Sequence, residues 1–505
     1  MLVLLSASCS SDFLEIPVQG GLTTSADPDL ASKLVTGVYN SLMQGDCFGN
    51  GDVHGWSFLS VTCTMSDDAD KGSFPSDQAI PIGDLDNFTI SPTNKFVATL
   101  WSGHYNSIGS CNQALSALAE SSLDTASRNS LIGEVRFIRG YLYFNLVRAF
   151  GGVPIVTRIP VDADDANTDP AFRTRASVTE VYNVIEEDLL YAIAHLPVTG
   201  VAPGHATKGA AQGMLAKVYM YLAKNDPTKW TKVLDLTQAV INSGRYTLVD
   251  DYATIWRQEG DNNSESMFEI QTGSFNNANF TIPNYTVCQG VRVGGLGGWN
   301  DLGYGFNGPT QNLYDAYEPG DLRRDATIIK IDNSEAHKGT VLWDGFRVPS
   351  SDSVQNLFYN YKAYTSSLRN SKGEPTPKEK FAVPADKDRP KNVRILRYAD
   401  VLLMNSEAAV MSGTGDPTFG INLVRDRAGL DPVGGVTQEL VWKERRVELA
   451  MEHDRFWDLV RHGDAAEVMI ASGKTNFVKG KHELLPIPSI QIQLSGGSLT
   501  QNDGY

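Results

Sequence analysis

The chain has 505 residues, 41% of them hydrophobic and 20% charged, so a large core can be buried and global disorder is excluded. A formal net charge of −16 excludes a broad nucleic-acid face, because phosphate recognition needs clustered positive charge. No apolar run reaches the roughly 18 residues that cross a bilayer, so a transmembrane helix is excluded as well.

Residues 1–8 read as the tail of a signal peptide. Leu2 to Leu5 are apolar, Ser6-Ala7-Ser8 are small, and Cys9 follows as the residue to be lipidated after cleavage. The basic n-region of a secretory signal is missing, and Ser6 stands three before the cysteine, where Leu is usual. Residues 9–26 then serve as a tether. Two or three acyl chains on Cys9, at about 0.8 kcal/mol per buried methylene, would anchor the protein without a spanning helix. Cys47, Cys63, Cys111 and Cys288 remain, and none belongs to a C-x-x-C pair. Four cysteines permit three disulfide connectivities in an exported protein. Four buried free thiols are the simpler expectation.

Helical periodicity dominates residues 27–260. A helix is expected over 101–118. Leu131, Val135, Ile138, Leu142, Leu146 and Ala149 then recur three and four apart, one apolar stripe that Gly151-Gly152 and Pro154 terminate. Further helices are expected over 178–196, from Ala211 to Leu222, and over 230–241. Small residues (Gly140, Ala149, Ala210, Gly213, Ala216) sit where neighbouring helices must approach closely. Antiparallel helix pairs with short breaks predict a mainly α fold, a tetratricopeptide-like superhelix of helical hairpins, although no clean 34-residue period survives. Over 261–391 Gly, Asn, Ser and Asp take over and the stripes vanish, which predicts a loop-rich central insert. Helix returns within 392–465, over 394–411, 419–427 and 438–461.

Several motifs fail on context. Gly303-x-Gly305-x-x-Gly308 has no buried strand before it and Pro309 after it, so a dinucleotide site is rejected. The eight histidines form no H-x-x-x-H or H-E-x-x-H pair, G-x-S-x-G is absent, and no metal or cofactor is expected. From Glu444 to Arg461, charges recur three apart (Arg445/Glu448, Glu452/Arg455, Arg455/Asp458, Asp458/Arg461) or four apart (Glu448/Glu452) and share a helix surface. On one helix these would form a structural ion-pair ladder with Arg455 at its centre.

Taken in order, several segments carry a family resemblance. They are Cys9 to Glu15, Trp101 to Asn112, Arg136 to Phe144 with Phe150 to Ile155, Ala206 to Ala211, Ile395 to Leu403, Asn422 to Gly429, the Glu444 to Arg461 run, and His482 to Pro488 with Gln501 to Tyr505. With these, the chain resembles the SusD/RagB family of outer-membrane glycan-binding lipoproteins over nearly its whole length. The resemblance implies four tetratricopeptide-like units supporting a loop-rich region. It also implies surface display on the outer membrane, an oligo- or polysaccharide ligand, and a SusC-like TonB-dependent transporter as partner. Binding and delivery would then replace catalysis. A peptide cargo, as in the RagB branch, and a helical glycoside hydrolase are the competing readings.

The family builds its ligand surface from loops that match 44–56, 66–74 and 276–306 here. Asp67 and Asp68 stand where members often carry an acid facing ligand. Trp299 and Tyr304 are the expected plates for the C–H face of a sugar, with Asn300 and Asp301 beside them for its hydroxyls. Trp343 and Trp101 are secondary choices, Trp101 because it opens a scaffold helix. Each plate contributes about 0.5–1.5 kcal/mol beyond buried area. Asp67, Asp68 and Asp70 could hold calcium instead, but no EF-hand spacing follows.

The anchor reading is directly testable. With a complete signal, the protein should partition with membranes and Cys9→Ala should release it. Equal partitioning of the two would contradict lipidation.

Overall fold

A computed structural model describes residues 29–43, 52–272, 282–292, 303–352, 354–365 and 391–505. Among the described residues, six helices of twelve or more residues build the first half: α1 (Leu30–Ser41), α2 (Lys95–Ala119), α3 (Thr125–Phe150), α4 (Val178–His195), α5 (Lys208–Leu222) and α6 (Lys229–Asn242). Their starts are dictated locally. Asn94 and Asp124 accept backbone N–H bonds from the first turns of α2 and α3, and Ser177 forms a capping box with Glu180 at α4. Gly151, at φ +74°, ends α3 where a side chain would be strained.

Consecutive helices pack side by side, α2 on α3, α3 on α4, α4 on α5 and α5 on α6. The expected helical-hairpin stack is therefore present. The small residues act as anticipated: a Cβ on Gly140 would lie 3.3 Å from Leu189 of α4. Arg139 pins three helices at once, donating to Asp188 of α4 at 2.8 and 2.9 Å and to Asn112 of α2 at 3.0 Å. The single stripe expected on α3 proves too narrow. Phe137, Tyr143 and Phe144 are buried along with Val135, Ile138 and Leu142, because neighbours surround this helix.

Among the described residues the second half mixes short strands with helices, of which four frame its core: α7 (Tyr398–Ser412), α8 (Pro417–Arg427), α9 (Gln438–Glu448) and α10 (Arg455–His462). Strands pair as four antiparallel ribbons. They are β1 (Ala69–Gly72) with β3 (Phe306–Pro309), β2 (Ser266–Ile270) with β8 (Val393–Arg397), β4 (Ile328–Lys330) with β7 (Phe358–Asn360), and β5 (Gly339–Val341) with β6 (Arg347–Pro349). Two expectations need correction here. Residues 393–397 form β8, because they add to β2, and the helix starts only at Tyr398. The stretch 438–461 is two helices. Met451 and His453 adopt φ of +65° and +78°, which no α-helix accommodates, so the chain turns between Glu448 and Arg455.

That turn redirects the ladder. Asp458 and Arg461 do pair at 2.7 Å, but the other charges reach partners far away in sequence. Glu448, completely buried, meets Arg397 at 3.0 Å, Arg427 at 2.6 Å and Arg323 at 3.2 Å. Glu452 meets Arg397 and Lys362, both at 2.6 Å, and Glu444 meets Arg323 at 2.6 Å. Glu265 meets Arg397 and Arg427. Arg445 bonds Asp400 and Asp458, while Lys217 of α5 bonds Asp400 and Asp454 at 2.7 and 2.6 Å. The result is a structural ion network that joins both halves of the chain. The chain's end is sewn in as well, with Asn502 donating to the carbonyls of Phe150 and Leu485.

Cys63, Cys111 and Cys288 are buried free thiols, and Cys47 lies outside the described residues. No helix among the described residues is long and apolar enough to cross a membrane.

Burial holds three histidines neutral: it lowers the pKa of His54 to about 4 and those of His104 and His453 to about 3. Unfolded histidine titrates near 6.5, so the folded values are depressed and unfolding takes up protons. Their contribution is complete above about pH 6.5 and is lost as pH falls toward the folded values. Each ring costs about 1.4 kcal/mol per pH unit across that window. Thermal melts should be flat from about pH 8 to 7 and fall steeply below about 6. A melting temperature unchanged down to about pH 5 would show these rings charged in the fold.

Candidate functional site

The β1–β3 ribbon brings two of the expected ligand loops together. Gly72 of β1 is paired with Phe306 of β3, immediately after the central insert returns. Gly72 has φ +67°, and a Cβ there would collide with the Gly305 carbonyl, so only glycine permits this approach. Asn356 bridges the same spot, donating to Gly305 O at 2.7 Å and accepting from Ser73 N at 3.1 Å.

The insert leaves and returns through one anchored root. Tyr304 N donates to Val287 O at 2.8 Å, and Gly305 N donates to Gly290 O at 2.9 Å. Arg292, the last described residue before the excursion, donates to Ser73 Oγ at 2.6 Å and pairs with Asp77. Its guanidinium also lies 4.2 Å from the Phe74 ring centroid. Phe74 is 37% exposed and offers its other face to solvent. A phenylalanine inside Gly72-Ser73-Phe74-Pro75-Ser76 was the available sequence signal, since turn residues cannot bury it.

The expected site residues separate on the structure. Tyr304 stands at the root, half-buried, with its ring edge-on to Trp56 at 5.6 Å. Trp299, Asn300 and Asp301 lie outside the described residues. Trp343 is 37% exposed, carries Arg257 4.9 Å above its ring, and follows β5 in a small cluster with β4, β6 and β7, whose Tyr359 is bonded to Asn356 and Arg292 at the root. Trp101 is only 3% exposed, wedged between Phe150 and Tyr105 at 5.0 and 5.1 Å, so it is core and presents no plate.

Asp67 and Asp68 also need correction. They are 2% and 1% exposed. Asp67 holds Arg455 at 2.7 Å and Arg446 at 2.9 Å, and Asp68 holds Arg446 at 2.8 Å. Burial alone would raise Asp67, but Arg455 and then Arg446 outweigh it and hold the carboxyl below the ordinary range. Asp68 is displaced upward, chiefly by burial and then by the Asp67 charge, against Arg446. Both acids position β1 by gripping α9 and α10. Among the described residues no cluster of His, Cys, Asp and Glu is arranged to hold a metal ion.

Arg455 therefore pairs with Asp67, not with Glu452 and Asp458 as the sequence suggested. Arg455→Ala should cost about 3 kcal/mol in chemical denaturation, because it leaves two buried carboxylates, Asp67 and Asp68, to share Arg446 alone. Ligand affinity of the folded variant should stay within about twofold, since no solvent-facing group is removed. Unchanged stability with lost binding would make the pair part of the ligand site.

Residues 64–220 match a family described as "Starch-binding associating with outer membrane", and residues 254–505 match the "SusD family". The SusD-like protein P2 of Formosa agariphila is 25% identical over 446 residues, which cover 84% of this chain and 83% of that protein. A SusD-like protein of Bacteroides ovatus is 26% identical over 390 residues, covering 74% and 67%. Among solved structures, a laminarin binding SusD-like protein superposes with a TM-score of 0.74 at 28% identity, covering 94% of this chain and 99% of its own. Surface glycan-binding protein A from Bacteroides fluxus gives 0.75 at 26% identity, with the same coverage. With helical hairpins, the loop-bearing second half and both family matches in agreement, the chain belongs to the SusD/RagB family.

Proposed function

We propose that this protein is a non-catalytic, surface-displayed glycan receptor that captures oligosaccharide on the face around the β1–β3 root. It then hands the cargo to a SusC-like TonB-dependent transporter, held to the outer membrane through Cys9. The observation that carries the reading is the anchored root itself. The ribbon, Asn356 and Arg292 hold residues 292 and 303–306, the described ends on either side of 293–302, beside an exposed Phe74. Trp299, Asn300 and Asp301 belong to that excursion and combine a plate with hydroxyl-binding groups. Laminarin is named as the ligand of one of the similar solved structures, which makes a laminarin oligosaccharide the first cargo to try.

The polar groups at the root are spent on one another, so affinity must come from a few plates and water-bridged bonds. Dissociation constants of about 10⁻⁵ to 10⁻³ M suit that inventory and permit release to a transporter.

Titration calorimetry against laminarihexaose and a wider glycan panel tests the reading. Trp299→Ala and Phe74→Ala should each weaken binding by about 0.5–1.5 kcal/mol with little change in melting temperature. Tyr304→Ala should weaken binding and also lower stability, because its ring supports Trp56. Binding of peptides with no response to any oligosaccharide would favour a peptide cargo, and enzyme-dependent release of reducing ends would refute the receptor reading.

A further inference from the structure

On the helical body, well separated in sequence from the insert, the 197–207 segment between α4 and α5 faces strand β2 across a cavity of about 510 Å³. His205 and Arg245 both line it. His205 Nδ1 lies 2.6 Å from Glu134 Oε2, on α3, and Tyr39 of α1 donates to the same oxygen at 2.6 Å. The buried carboxylate therefore takes the Nδ1 proton, leaving Nε2 on the far side of a ring that is partly exposed. Arg245 is exposed and makes no ion pair among the described residues. Its guanidinium merely lies 5.9 Å from the Tyr246 ring.

Several of the other polar groups around the cavity are already engaged. Thr207 bonds the Tyr246 hydroxyl, Ser264 bonds Thr247 O, and the Asn262 amide pairs with Gln271. Glu269 also lines the cavity. Its Oε2 accepts from Asn262 N and the Asn392 amide, and Arg394, itself paired with Asp261, lies 3.6 Å from Oε1. Glu134 is matched by its own partners, while Glu269 Oε1 accepts no hydrogen bond and has the Arg394 guanidinium at 3.6 Å to balance its charge. Arg245 and His205 Nε2 are left for a guest, both donors when the imidazole is charged.

We infer that this cavity is a second binding site, one that takes a small molecule through an anionic oxygen group, a carboxylate or a sulfate. In a glycan receptor the guest is an acidic sugar. That last step rests on the glycan-binding reading, while the need for an anion does not. The hydrogen bond from Glu134 raises the His205 pKa above its ordinary 6.5, against the opposing effect of burial. Tyr39 and Glu134 contact the imidazole directly, and Arg245 and Glu269 are the other charged side chains lining the cavity. Anion affinity should accordingly be highest where His205 is protonated and fall as pH rises through its folded pKa.

NMR of the His205 ring in the full chain, titrated with glucuronate, glucose 6-sulfate and glucose, tests this. Glucuronate or the sulfate should shift the resonance saturably at about pH 6.5 and bind more weakly at about pH 8.5, while glucose leaves it unmoved. Arg245→Ala, on the surface, should weaken the anion about tenfold, the value of one charge-assisted hydrogen bond. His205→Gln, followed by calorimetry, should remove the pH dependence. Running the series in Trp299→Ala separates the two sites, because loss of laminarihexaose binding should leave this titration intact. An equal response to glucose, full anion affinity in Arg245→Ala, or an unaltered pH dependence in His205→Gln would overturn the assignment.

Discussion

Glu448 sits at zero exposure among three guanidinium groups drawn from 322–327, from β8 and from α8. Taking such charges out of water costs several kcal/mol per ion, and only matched partners offset it. Here the matching is thorough. Burial acts to raise the Glu448 pKa, yet Arg427, Arg397 and Arg323 hold it far below the usual carboxylate range. Arg397 in turn serves Glu265, Glu448 and Glu452, so β2, β8 and α9 cannot shift independently without leaving a buried charge unpaired. A hydrophobic core of equal volume would tolerate sliding, whereas this network prescribes one arrangement.

The same logic extends outward to the binding face. Arg446 and Arg455 project from α9 and α10 and clamp Asp67 and Asp68, which lead directly into β1. β1 pairs with β3, and β3 follows the return of the insert. A chain of named contacts thus runs from Glu448's neighbourhood to the root from which Trp299 departs.

Much of this architecture is legible in the residues. The three-and-four spacing in α3, the capping of α4 by Ser177, and the stop at Gly151 are local signals, and the structure follows them. The misreadings share a cause. Arg455 stands three residues from an acid on either side, so local spacing pairs it with them, but its partner is Asp67, 388 residues away. Strand β8 reads as helix because only its addition to β2 makes it a strand. Trp101 looks available as a plate until Phe150 and Tyr105 close over it. Long-range pairing leaves no periodic trace in one sequence. The contacts of Arg292 and Asn356 beside the glycine-rich stretch are visible only in three dimensions, because Ser73 and Gly305 lie far from them in sequence.

The account's central claim is that a pinned root presents a ligand-binding excursion. Hydrogen–deuterium exchange with and without bound oligosaccharide tests it most directly. Peptides covering 66–72 and 303–309 should be strongly protected in the free protein and unchanged by ligand, since Tyr304 and Gly305 amides are already bonded. Saturating oligosaccharide should slow exchange within 293–302. Rapid exchange at 303–309 in the free protein, or ligand protection confined to the helical body, would contradict it.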